Sequence, residues 1–309
     1  MRKMIFVIFT IALPILFGCD GGDGDMVSSP PSATFPLKKT GQTSSYIYPD
    51  DGYFQRGVTP SYTRDSETGI VTDNVTGLMW QDNVLSSSMQ WETAIATCED
   101  LSLGGYDDWR LPTIEEIESI IDYGHYDPAI DPIFVRTASN TYWSHTAHVN
   151  SFYAWRINFK NGFSSKDGKN GNNYVMCVRG TAYPDAEFVR DSATQIVLDK
   201  RTGLMWQDDE LGVKSWGDAI NYCFDKRLGG YRDWRLPNIR EQLSIVDRGR
   251  SYPAIYPVFV HVGSGLNYHW SSTRVTNDDF LWIVKFSEGN SYGDRMPSYN
   301  YVRCVRAGQ

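Results

Sequence analysis

The sequence predicts an α+β protein made of two tandem domains, each with two helices and a mainly antiparallel sheet. Three observations lead to this prediction: a long internal repeat, two helix patterns in each copy, and short β-type runs interrupted by turn residues. With 309 residues, of which 41% are hydrophobic and 14% aromatic, the chain can bury two cores and does not have the composition of a disordered protein.

The internal repeat covers most of the chain. The segment 76–82, Thr-Gly-Leu-Met-Trp-Gln-Asp, recurs at 202–208, and Gly-Gly-Tyr-x-Asp-Trp-Arg-Leu-Pro occurs at 104–112 and again at 229–237. Solenoid repeats span about 20–50 residues, so a unit of this length is a whole domain.

The tryptophans follow the same repeat. The chain has ten of them, and they form the equivalent pairs Trp80 and Trp206, Trp91 and Trp216, Trp109 and Trp234, Trp143 and Trp270, and Trp155 and Trp282. We place domain 1 at residues 46–181 and domain 2 at residues 182–309. We expect the tryptophans to pack in the two cores; the alternative is exposed indoles that stack on sugar rings.

The N-terminus predicts export and a lipid anchor. Two basic residues precede an apolar run at 4–17, which is too short to span a bilayer and has the form of a signal peptide. The run ends in Leu-Phe-Gly-Cys, which resembles the lipobox of bacterial lipoproteins, with Cys19 as the acylated residue. We therefore predict a signal peptide at 1–18 and, from its Gly, Ser, Pro and Asp content, a flexible tether at 19–45. A secreted protein with a chance cysteine is the alternative.

Each copy opens with a predicted hairpin, at residues 70–80 in domain 1, where β-type runs flank a turn of Asn and Gly. A helix follows, because Trp91, Ala94, Ile95 and Cys98 are spaced i, i+3, i+4 and i+7 and so share one helical face. Domain 2 repeats both patterns. The cysteine of this helix is expected to face the core.

A second helix is predicted from its capping box. Thr113 with Glu116, and Asn238 with Glu241, have the spacing at which two side chains satisfy the free amides of a first helical turn. The rest of each copy consists of short apolar runs and Gly, Asn and Ser interruptions, which are typical of strands and loops.

The four cysteines beyond Cys19 predict one disulfide in each domain. Cys98 and Cys223 lie on the first helix of each copy, and Cys177 and Cys304 lie in the last strand. In an exported protein we read these as the pairs Cys98 with Cys177 and Cys223 with Cys304. Buried free thiols are the alternative.

The repeated motifs resemble a known family. Gly-Leu-Met-Trp, Gly-Gly-Tyr-x-Asp-Trp-Arg-Leu-Pro, Trp-Ser and Tyr-Val-x-Cys-Val-Arg, in that order and in both copies, resemble the Lcl C-terminal domain, named for a Legionella collagen-like adhesin. The Trp-Arg-Leu-Pro element is also similar to a segment of formylglycine-generating enzymes, whose core is C-type-lectin-like. The resemblance implies two tandem C-type-lectin-like domains, and the founding adhesin implies binding of sulfated polysaccharide.

The charge of the chain limits what it can bind. Asp and Glu number 37 and Lys and Arg 29, a net charge of −8. Loss of residues 1–18, with two basic side chains and no acidic one, leaves 37 against 27, or −10. This excess of acid argues against nucleic acid and against a sulfated chain. The sequence triplets of calcium-dependent sugar lectins are also absent, and we expect no metal or cofactor.

Nothing in the repeat indicates catalysis. None of the five histidines aligns with another, which argues against a repeated zinc or nucleophile site, and no common catalytic motif is present. Repeated acids could form a glycosidase pair, but turns, caps and ion pairs explain them more simply. We expect a non-catalytic adhesion or binding protein, with carbohydrate as one ligand class. The alternatives are a structural envelope component that binds another protein and, less favoured, a glycosidase or formylglycine-generating enzyme.

The predicted location is the bacterial cell envelope, with the chain anchored through lipidated Cys19 and facing the periplasm or the exterior. The predicted ligand site lies in the polar loops before each final strand, at 161–173 and 288–300, because these loops differ between copies. Its candidate residues are Lys166, Lys169, Asn173, Asp294, Arg295 and Asn300.

Overall fold

The structure is a computed structural model that describes residues 35–84, 87–277, 279–295 and 298–306. The predicted signal peptide at 1–18, Cys19 and residues 20–34 of the predicted tether lie outside the described residues. In the part of the chain that is described, no helix is long and apolar enough to cross a membrane.

Domain 1 follows an N-terminal segment, residues 35–57, which carries the short helix α1 (Asp51–Phe54). Its elements are β1 (Tyr62–Arg64), β2 (Ile70–Asp73), β3 (Met79–Gln81), α2 (Trp91–Glu99), α3 (Ile114–Glu118), β4 (Thr141–Ala147), β5 (Tyr153–Asn158), β6 (Phe163–Gly168) and β7 (Val178–Arg179).

Domain 2 repeats this order. Its elements are β8 (Phe188–Asp191), β9 (Ile196–Asp199), β10 (Met205–Gln207), β11 (Val213–Lys214), α4 (Trp216–Asp225), α5 (Ile239–Ser244), β12 (Tyr268–Arg274), β13 (Phe280–Lys285), β14 (Asn290–Arg295), β15 (Asn300–Tyr301) and β16 (Val305–Arg306).

Among the described residues, each domain has two sheets. In domain 1 the strand orders are β1-β2-β3-β7 and β4-β5-β6, and in domain 2 they are β16-β10-β9-β8 and β11-β15-β12-β13-β14. Every pair of named strands is antiparallel except β12 with β15. The predicted α+β class, with two helices per copy and mainly antiparallel sheets, is confirmed.

Both predicted capping boxes form. Thr113 Oγ1 accepts a hydrogen bond from the Glu116 amide, and Glu116 accepts one from the Thr113 amide at 2.8 Å. Arg110 closes the motif with two hydrogen bonds to the Glu116 carboxylate, and domain 2 repeats the arrangement with Asn238 and Glu241. The N-termini of α3 and α5 are thereby fixed against Arg110 and Arg235, which lie just before them in the chain.

The two disulfides pair as predicted, Cys98 with Cys177 and Cys223 with Cys304. Each joins the first helix of a domain to the residue just before its last strand. The tryptophans are also placed as predicted, with nine of the ten buried. The exception is Trp91, which is only partly buried.

The two domains pack against each other through equivalent residues. Ser164 on β6 and Ser291 on β14 occupy the same position in the two copies, and their hydroxyl oxygens lie 2.8 Å apart. Trp282 of domain 2 meets Tyr123 and Phe163 of domain 1 at ring-centroid distances of 5.0 and 4.9 Å. The interface is therefore arranged about a local pseudo-twofold axis.

Buried charge also crosses this interface. The Arg240 guanidinium donates to the backbone carbonyls of Glu118 and Ser119 at 3.0 and 3.1 Å. Arg248 forms an ion pair with the Glu118 carboxylate at 2.5 Å and lies over the Trp155 ring. Burial raises the pKa of Glu118, and the Arg248 guanidinium opposes that shift.

The N-terminal segment differs from the prediction. Residues 35–45, predicted as the end of a flexible tether, are packed, with Lys38, Thr40 and Gln42 buried. Residues 46–57, predicted as the start of domain 1, lie against domain 2, where Ile47 joins the hydrophobic core. We therefore treat residues 35–57 as a separate N-terminal segment.

Candidate functional site

The structure places the predicted ligand residues in two groups, three in each domain. Asn173 and Asn300 are equivalent and both are buried. Asn173 donates to the Asp167 carboxylate at 3.1 Å, and Asn300 donates to the Asp294 carboxylate at 2.9 Å. These amides and Asp294 hold the loops in shape, so they are poor candidates for direct ligand contact.

The basic candidates lie nearer the surface. Lys166 is 3.4 Å from Glu288 of domain 2, and the exposed Arg295 lies over the Phe280 ring. Lys169 is the candidate with a further feature, because its ammonium lies 4.2 Å from the ring centroid of the partly exposed Trp91. Trp91 is the first residue of α2, so this contact lies at the N-terminus of that helix.

In domain 2, the surface around the N-termini of α4 and α5 is covered by the N-terminal segment. The Thr273 hydroxyl accepts from the Ile239 amide at 3.0 Å and donates to Asp51 Oδ2 at 2.7 Å. Thr40 donates to the same carboxylate oxygen at 2.7 Å. The Arg274 amide donates to the side chain of Gln42 at 2.7 Å. A stretch of peptide is thus held on this face by hydrogen bonds.

Asp51 is the buried centre of this contact. Burial raises the pKa of its carboxyl to about 6, while the hydrogen bonds from Thr40 and Thr273 act in the opposite direction. The nearby Glu241 raises that pKa further, and Arg235 lowers it. The carboxyl is therefore held mainly by hydroxyl donors rather than by a strong positive charge.

In domain 1 the equivalent surface has no such cover from the described residues. His145 is exposed where its counterpart Ser272 is buried. The Arg110 side chain is 30% exposed, against 5% for the equivalent Arg235. Trp91 is likewise more exposed than Trp216.

We call the surface formed by Trp91, Arg110, His145 and Thr146 the uncovered surface of domain 1. Its aromatic part is continuous, since the Trp91 and His145 ring centroids are 6.3 Å apart. At Thr146 it joins a cleft of about 280 Å³ beneath the linker between the domains. The cleft is lined in part by Thr113, Glu115, Thr146, Tyr183, Arg201 and Arg248.

Sequence reasoning missed this surface, although two differences between the copies mark it. Domain 1 has Trp-Ser-His-Thr where domain 2 has Trp-Ser-Ser-Thr, which places His145 opposite Ser272. Domain 1 also has Glu92 where domain 2 has Gly217, the glycine beside which Ile47 packs. Both differences fall where one copy is covered and the other is not.

The repeated acids have structural partners. Asp82 accepts from the backbone amides of Val135 and Arg136 at 2.9 and 3.0 Å, and the equivalent Asp208 accepts from the amide of Val260 at 3.1 Å. Glu116 and its counterpart complete the capping boxes. Among the residues that the structure describes, no group of three or more His, Cys, Asp or Glu side chains is placed to hold a metal ion.

Comparison with known proteins agrees with the repeat. The profile of the Lcl C-terminal domain matches residues 69–179 and again residues 195–306. No curated protein matches the chain at a significant level. Since the two matches cover more than half of the sequence, the chain belongs to the Lcl C-terminal domain family, with two of these domains in tandem.

Proposed function

We propose that the protein is a lipid-anchored component of the bacterial cell envelope that acts as a non-catalytic adhesion or binding module and takes carbohydrate on domain 1. Tandem Lcl C-terminal domains support a binding or adhesion role. The observation that carries the carbohydrate assignment is the partly exposed Trp91 beneath the Lys169 ammonium.

The chemistry of this surface suits a saccharide that bears a carboxylate. An indole ring offers apolar contact to a sugar ring, and the lysine ammonium that lies over it supplies a charge-assisted donor. The exposed His145 adds a further polar group next to Trp91. In a protein of net charge −8, an acidic ligand needs a local basic group such as Lys169.

Binding of the mature chain to a glycan array tests this assignment. We expect retention of carboxylated glycans. Lys169→Ala removes the charged donor and Trp91→Phe replaces the indole with a smaller ring, so each should lower the affinity at least about tenfold. Lys214→Ala is the matched control, since Lys214 also lies over an aromatic ring, Tyr222, but in domain 2. No retained glycan, or an equal loss in the control, would show that this surface is not the carbohydrate site.

The anchor has its own test. Cells that express the protein and are fed radioactive palmitate should label the wild-type chain and leave Cys19→Ala unlabelled, because acylation needs the thiol. At two or three acyl chains the wild type should stay with the membrane fraction. Label that persists on the Cys19→Ala chain would contradict anchoring at this residue without affecting the carbohydrate assignment.

A second candidate function is the binding of another envelope protein. The covered surface of domain 2 favours it, because Thr273 and Arg274 there already hold a stretch of peptide. A scaffold that binds peptide on one copy has the geometry to bind it on the other.

A further inference from the structure

We propose that the cleft at Thr146 in domain 1 binds a peptide segment of a partner protein through an aspartate side chain, as Thr273 in domain 2 binds Asp51. This proposal deepens the protein-binding candidate and is independent of the carbohydrate assignment. It rests on three steps: the equivalence of the two sites, an unused donor at Thr146, and a cleft large enough for a side chain and its flanking backbone.

The two threonines are equivalent in sequence and in their local contacts. Thr146 Oγ1 accepts from the Ile114 amide at 2.9 Å, as Thr273 Oγ1 accepts from the Ile239 amide at 3.0 Å. Each threonine therefore caps the first turn of the second helix in its domain. Since the acceptor role is fixed in the same way, the hydroxyl hydrogen is left for a partner in both sites.

The hydroxyl of Thr273 donates a hydrogen bond, whereas the hydroxyl of Thr146 donates none to the described residues. Thr273 donates to the Asp51 carboxylate at 2.7 Å. Thr146 has no acceptor among residues 35–84, 87–277, 279–295 and 298–306. A ligand that supplies a carboxylate oxygen at Thr146 would complete the contact that domain 2 makes within its own chain.

The cleft gives such a ligand space. Its volume of about 280 Å³ is close to the lower end of small-molecule sites and holds an aspartate with its adjoining peptide units. Residues 182–186 of the linker line the cleft, whereas residues of the N-terminal segment cover the equivalent face of domain 2. In domain 2, Arg235 lowers the pKa of Asp51, so a carboxylate at Thr146 would by equivalence lie within electrostatic range of Arg110, whose side chain is 30% exposed.

The basic side chains that line the cleft are already paired with acids. Arg201 and Arg248 line the cleft but are paired with Glu115 and Glu118, and the acids Asp185 and Asp247 line it as well. Arg110 is paired as well, with Glu116, so recognition depends mainly on the hydroxyl donor rather than on a strong positive field. This selects a single, well-placed carboxylate instead of a run of acidic residues.

The ligand is not another copy of the N-terminal segment. Ile47 packs beside Gly217 in domain 2, and domain 1 has Glu92 at that position, whose side chain would occupy the space. A peptide of different sequence, sharing only the aspartate, is what the domain 1 face fits.

The test uses the mature chain and an array of twelve-residue peptides that carry a central Asp or Asn and are otherwise randomised. We expect the Asp series to be retained at least about tenfold more strongly than the Asn series, because a charge-assisted hydrogen bond is lost in the latter. Thr146→Val should abolish the preference for Asp, whereas Thr146→Ser, which keeps the hydroxyl, should retain it. Thr93→Val, at an exposed threonine on α2, is the matched control.

Three results would overturn the proposal. The first is equal retention of the Asp and Asn series, or a preference that survives Thr146→Val. The second is retention only after Asp20, Asp23 and Asp25 are changed to Asn, which would assign the cleft to upstream residues of the same chain. The third is retention of uronic-acid glycans but not of peptides, with that retention lost in Thr146→Val. Variants at Trp91 and Lys169 report on the carbohydrate assignment separately.

Discussion

Replacing Cys98 and Cys177 together with alanine is expected to lower the free energy of unfolding by about 4.5 kcal/mol. The disulfide closes a loop of 79 residues, and a crosslink of that span removes this much conformational freedom from the unfolded chain in the loop-entropy model. Guanidinium denaturation followed by tryptophan fluorescence measures the change, because the buried indoles of both domains report on unfolding.

The second disulfide provides an internal comparison. Cys223 and Cys304 are separated by 81 residues, so their joint replacement should cost nearly the same free energy. A loss below about 1 kcal/mol in both double variants would contradict the loop-entropy argument. Free thiols found by non-reducing mass spectrometry in the purified protein would contradict the pairing itself.

Glu118→Leu is expected to destabilise the protein by about 3–5 kcal/mol, because it leaves the buried Arg248 guanidinium without its partner. Leucine occupies the equivalent position in domain 2, Leu243, so the change is compatible with the helix. The same denaturation experiment gives the free energy. In the double variant Glu118→Leu with Arg248→Met, most of the loss should be recovered, since no unpaired charge remains.

An exposed ion pair is the control for this prediction. Arg179 pairs with Asp108, whose side chain is 57% exposed. Asp108→Ala should therefore change the free energy of unfolding by less than about 1 kcal/mol. If Glu118→Leu were as mild as Asp108→Ala, or if the double variant were no more stable than Glu118→Leu, the interface would not depend on this buried pair.

The domains, helices and disulfides could be predicted because the residues behind them either lie close together in the sequence or recur in both copies. The capping box of α3 is complete within residues 113–116 and needs no information from the rest of the chain. The pairing of Cys98 with Cys177 followed from two positions that recur in the second copy. The same repeat located the core tryptophans.

The N-terminal segment could not be predicted in this way. Residues 35–45 have the Thr, Gly and Ser content of a linker, and their partners lie far away along the chain, as with Gln42 and Arg274. The predicted ligand loops show the opposite problem. Asn173 and Asn300 have a polar character that suggests recognition, yet each satisfies an acid of its own loop. A polar side chain in a sequence does not reveal whether its partner is internal.

The contact between Ser164 and Ser291 has a consequence for the assembly of the molecule. A residue on a twofold axis meets its own equivalent, which is the geometry of a self-complementary homodimer. Joining the copies through the short linker at 180–187 makes their association intramolecular, with an effective concentration of about millimolar or above. Docking then no longer depends on the amount of protein present. The interface surfaces of the two domains can also diverge in sequence. Glu118 of domain 1 is equivalent to Leu243 of domain 2, and Tyr123 is equivalent to Arg248.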